Sequence, residues 1–107
     1  MPHPDIHHSY DFTAPMWLYE TTKAPWHFIS VPEELSAEIR MFHGQFQRGW
    51  GAVPVTVRIG SSQWQTSMFP DKKTQTYLLP IKADIRKVQQ LTLDTPIQVS
   101  ITPRVGC

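Results

Sequence analysis

The chain predicts a mainly β fold, a small antiparallel β-barrel of about six or seven strands with two short α-helices. Three observations lead there. Val53, Val55, Val57 and Ile59 alternate strictly with Pro54, Thr56 and Arg58, the period of a strand with one buried face. That strand turns at Gly60, Ser61 and Ser62, returns through residues 63–68, turns again at Pro70, Asp71 and Lys72, and leaves along 76–81. Residues 96–102 then alternate once more and close the chain as a strand. Consecutive hairpins separated by short helices do not build a doubly wound sheet, and 107 residues hold one domain with one core.

Each element has its local reason. Residues 1–9, MPHPDIHHS, read as a flexible lead-in to a single domain at 10–103, with 104–107 as a tail. Tyr10, Phe12, Ala14, Met16 and Leu18 alternate with Asp11, Thr13, Trp17 and Tyr19, which predicts a first strand with aromatics on both faces and a bend at Pro15. After a connection over 21–25, residues 26–30 form a short second strand.

Pro32 opens a helix where its missing N–H costs nothing. Glu33 and Glu34 complement the macrodipole, and Ser30 with Glu33 has capping-box spacing. Leu35, Ile39, Phe42 and Phe46 fall on one stripe toward a core, and Gly44 and Gly49 mark the helix end. Pro54 cannot donate to a ladder, so its strand is expected to begin at a sheet edge. Residues 82–90 make a second helix on the spacing of Ile81, Ile85 and Val88.

Composition bounds the function classes. Hydrophobic residues at 40% and charged residues at 18% describe a globular chain. A net charge of +1 supplies no strong field for nucleic acid or anionic lipid. Cys107 is the single cysteine, so no internal disulfide forms, which suits a reducing, cytoplasmic setting. No apolar run reaches the roughly 18 residues of a membrane span, and residues 1–9 lack the regions of a signal peptide.

Several segments together carry a resemblance. WHFISVPEELSAEIR, RGWGAVPVTVRIGSSQWQTSMFPDKK, TYLLPIKADIRK and the closing IQVSI resemble the bacterial domain-of-unknown-function family nineteen-oh-five, from about Tyr10 to Ile101. The resemblance implies a double-split β-barrel like those of antitoxin and transition-state-regulator DNA-binding proteins. It also implies a link to bacteriocin-protection proteins, and it supplies no reaction. Two turns depart from the family pattern. Leu93, Asp94, Thr95 and Pro96 stand where Gly-Asp is usual, and Thr74-Gln75 stands where a glycine is common.

The candidate ligand-binding residues are Trp64, Ser67, Asp71, Lys72, Tyr77, Lys82 and Arg86, a basic and aromatic rim. Lys82 and Arg86 are four apart and share a helix side. Arg86 suits bidentate contact with a phosphate or carboxylate, and Lys82 acts as a point charge. The plainer reading is a solvated helix face, with Pro70 and Asp71 making a type I turn. Trp26, Phe28, Trp50, Trp64, Phe69 and Tyr77 are read chiefly as core, with Trp64 and Trp50 the ones expected to show a face to ligand.

His3, His7 and His8 sit in the lead-in, and His27 and His43 are isolated, so no metal site or cofactor is expected. No nucleophile elbow, phosphate loop or dinucleotide fingerprint occurs, and no catalytic residue is assigned. The favoured reading is a binding module for a small anionic ligand, a peptide or a protein partner, acting as monomer or homodimer. A nucleic-acid-binding barrel is the alternative, on fold analogy alone. An enzyme built on a depressed Lys82 is the third.

Overall fold

Inward and outward side chains alternate along the strands, and the inward rows close around one core. The computed structural model of the chain describes residues 8–20, 23–43 and 51–104. The strands are β1 (Tyr10–Tyr19), β2 (Trp26–Ser30), β3 (Val53–Ile59), β4 (Ser62–Asp71), β5 (Thr76–Pro80) and β6 (Pro96–Pro103). Helix α1 (Glu33–His43) lies between β2 and β3, and α2 (Ala83–Val88) between β5 and β6. The strands pair antiparallel in the order β1-β2-β5-β4-β3-β6 and close into a barrel. The predicted class holds, with six strands in the closed wall. No helix among the described residues is long and apolar enough to cross a membrane.

The wall is two half-sheets sharing two long strands. In β1, residues 10–15 pair with β6 and residues 16–19 with β2. In β4, residues 62–68 pair with β3 and residues 69–71 with β5. Pro15 stands where β1 passes from one neighbour to the other, the place of the expected bend.

The core takes Met16, Ile29, Ile39, Val53, Val55, Val57, Met68, Leu79 and Ile101, all essentially solvent-free. Burying one such side chain contributes about 1.5–3 kcal/mol. The phase of alternation therefore decides which face of each strand turns inward.

Where the wall meets α1, a hydroxyl completes the ladder. Val31 N–H donates to Tyr77 C=O at 2.9 Å, but the reciprocal bond passes through Ser36. Tyr77 N–H donates to Ser36 Oγ at 3.0 Å, and Ser36 Oγ–H donates to Val31 C=O at 3.0 Å. Ser36 is fully buried, so this bridge satisfies two main-chain groups that water does not reach.

Several local expectations are corrected. Pro54 marks no sheet edge: β3 pairs on both sides, and the missing N–H falls where β6 runs out, with Arg104 N–H donating to Pro54 C=O at 2.8 Å. The second turn lies later than expected, at Lys72–Gln75, because Pro70 and Asp71 still pair with Tyr77 and Thr76. Phe42 and Val88 are exposed at 60% and 67% rather than facing the core, which their helices reach through Leu35, Ile39 and Ile85. Ser30 caps no helix; its Oγ accepts from Trp17 Nε1 at 2.9 Å. His3, His7, Gly44, Phe46, Gly49, Trp50 and Cys107, and the side chain of His43, lie outside what the structure describes.

Both family departures fall on left-handed backbone, which favours glycine. Gln75 has φ 60° and Asp94 φ 61°. Gln75 is held by its own Nε2, which donates to Lys72 C=O at 3.0 Å.

Candidate binding surface

The rim residues brought forward by the sequence divide among four places. Trp64 and Tyr77 are in the core, 9% and 1% exposed, so the expected ligand-facing role of Trp64 is corrected. Trp64 shares the inward phase of Met68, opposite Val57, and Ser67 points the other way opposite Pro54. Asp71 and Lys72 lie at the β4–β5 hairpin. The Asp71 carboxylate accepts from Lys73 N–H at 3.2 Å and from Thr74 Oγ1–H at 2.8 Å, so it shapes the turn. Lys82 and Arg86 follow the far end of β5, about 15 Å away at the usual strand rise. Lys82 is the extended residue that precedes α2, Arg86 lies one turn on with its N–H donating to Lys82 C=O at 3.2 Å, and both are separated from the hairpin.

Around that pair the outer wall is aromatic. Residues of β1 and β2 that point outward meet directly, with Trp17 opposite Phe28 and Tyr19 opposite Trp26. The Trp26 and Phe28 rings stack at 5.8 Å between centroids and 9° between planes. Trp17 tilts against Phe28 at 5.5 Å, and Tyr19 lies 6.3 Å from it. Phe28 is thereby covered, and Trp26 and Tyr19 stay 51% and 54% exposed. Pro80, opposite Phe28, extends the apolar face onto β5. The outer face of the other half-sheet is polar, carrying Thr13, Gln98, Ser100, Arg58, Gln63 and Gln65.

The mouth of the barrel beside this face is cationic. Arg86 Nη1 donates to the His27 ring, lying 2.6 Å from Nδ1 and 2.7 Å from Nε2. Only a neutral imidazole has a nitrogen free to accept that bond. Burial, and then the Arg86 charge, hold His27 below the ordinary imidazole range. Arg86 is half-buried, its Nε is shut from solvent without a hydrogen-bond partner, and no carboxylate of the described residues pairs with it.

Lys82 is exposed at the start of α2 with no side-chain cap bond. Ile81 N–H donates to His27 C=O at 2.9 Å and closes the last rung of the β2–β5 ladder, so Lys82, two residues past Pro80, and Trp26, two before Phe28, lie at the same end of that pair. This arrangement can hold an anion between a planar fork and a point charge, with an indole face beside it. Among the described residues no three His, Cys, Asp or Glu side chains cluster as metal ligands.

The sequence put Lys82 and Arg86 forward as candidates and read Trp26 and Phe28 chiefly as core, where the structure leaves Trp26 51% exposed. The signal was present in β1, where Trp17 and Tyr19 occupy the phase opposite to Met16 and Leu18. The partner role of His27 had no sequence signal, because β2 and α2 meet only through the fold.

The model of the family described as domain of unknown function (DUF1905) matches residues 12–101, from within β1 to within β6. The chain belongs to that family. No match was found among curated proteins.

Proposed function

We propose that this member of the DUF1905 family is a cytoplasmic binding module rather than an enzyme. Its ligand carries an anionic group that Lys82 and Arg86 hold at the mouth of the barrel. Arg86 carries this reading. A half-buried guanidinium normally has a counter-charge, and leaving one uncompensated is costly. Its neighbour here is a neutral imidazole, which satisfies one donor and no charge. An incoming phosphate or carboxylate supplies what is missing.

The test is thermal unfolding at low ionic strength with inorganic pyrophosphate as probe. The wild-type midpoint is expected to rise with pyrophosphate, as it does for any ligand that binds only the folded state. The Lys82→Gln, Arg86→Gln double variant is expected to show no rise. An equal rise in both proteins overturns the assignment.

A further inference from the structure

We infer that the ligand is a nucleoside phosphate, its base stacked on Trp26 and its phosphate at Lys82 and Arg86. This rests on the anion site proposed above and names what else the ligand carries. Trp26 is an outward indole, half exposed, at the open end of a four-ring cluster. Its ring is fixed from below by parallel stacking on Phe28, and Phe28 is itself held by Trp17 and Tyr19. The indole is therefore presented as a flat face backed by a second ring.

Core packing does not account for it. The barrel interior is already filled from the inward phase, and neither helix buries Trp26. A flat aromatic ring is the natural complement of an exposed indole face. Lys82 lies two residues past Pro80 and Trp26 two before Phe28, so both sit at the same end of the β2–β5 pair. An ammonium on a four-carbon stem reaches a phosphate one sugar beyond a stacked base. Ring and anion are thus recognised at one end of the β2–β5 pair.

The charge pattern favours a single nucleotide over a strand. The whole chain carries a net charge of +1, and the cations gather at one end of the aromatic face. Beyond Tyr19 and Trp26 the face continues through Phe28, Pro80 and Leu78, and among the described residues no basic track runs along it to follow a polynucleotide backbone.

Calorimetric titration with AMP, ribose 5-phosphate and a single-stranded oligoadenylate tests this. AMP is expected to bind about ten-fold or more tighter than ribose 5-phosphate, the worth of one base–aromatic stack. Trp26→Leu keeps an apolar cover on Phe28 and removes the indole face. It is expected to abolish that difference while leaving ribose 5-phosphate binding unchanged. Equal binding of AMP and ribose 5-phosphate by the wild type overturns the nucleoside inference and leaves the anion site standing. Binding of neither overturns both. Oligoadenylate binding far tighter than AMP, with steep salt dependence, overturns the choice of a free nucleotide.

Discussion

Single residues decide how the barrel's seams close. The Ser36 bridge replaces one main-chain bond between Val31 and Tyr77 with two that pass through a hydroxyl. Ser36→Ala strands a buried N–H and a buried C=O, a loss expected to cost about 1–3 kcal/mol in urea unfolding. Ser67→Ala, on the outer wall, is expected to stay within about 0.5 kcal/mol of wild type. Nothing in the sequence sets Ser36 apart from other helix serines, because its partners lie in other elements.

His27 gives a pH dependence whose sign follows from its lowered pKa. Below the unfolded value of about 6.5 the unfolded chain binds a proton that the folded barrel resists. The stability it contributes is therefore full above that pH and is lost as pH falls through the folded pKa. Melting temperatures compared between pH 7.5 and 5.5 should fall less steeply for His27→Gln than for wild type. Identical slopes would show that the imidazole is not held neutral by Arg86 and burial.

Whole elements were legible where periodicity is strong, and less so at their ends. All six strands and both helices lie where alternation or helical spacing sets them. The ends moved because pairing partners extend or cut a strand, as when β5 carries β4 on to Asp71. Helix α2 ends in a Schellman arrangement. Leu91 N–H donates to Arg86 C=O at 2.9 Å and Gln90 N–H to Lys87 C=O at 3.3 Å.

Its left-handed position is filled by Gln90, with φ 53°. Glycine adopts that conformation without strain, so Gln90→Gly is expected to raise stability by about 0.5–1 kcal/mol, read from the denaturant midpoint. The neighbouring Gln89 Nε2 donates to Ser61 Oγ at 3.1 Å and Ser62 Oγ at 2.9 Å, tying α2 to the β3–β4 hairpin. At Gly60, φ 58° suits the first position of that two-residue turn, and any Cβ would run into the Gln89 side chain. Helix and hairpin are thus fitted to each other at a position that glycine fills without strain.

At the scale of the molecule, the two half-sheets face outward differently. One wall is polar; the other carries Trp17, Tyr19, Trp26, Phe28 and Pro80 and ends at Lys82 and Arg86. Alternation told which residues share a face, and so set Trp64 and Ser67 apart. It did not tell which face of β2 turns inward, since Trp26, Phe28 and Ile29 are all apolar. Only closure of the barrel decides that. The charge pair was legible because helical spacing is local, and its contact with His27 was not, because it joins residues 59 apart.

The most direct test follows backbone and indole resonances by NMR while AMP is titrated into the full chain. The largest shifts are expected at the Trp26 indole, His27 and residues 82–87, converging on the mouth of the barrel. Shifts centred instead on the polar wall around Asp11, Arg58 and Ser100, or none at all, would contradict the account.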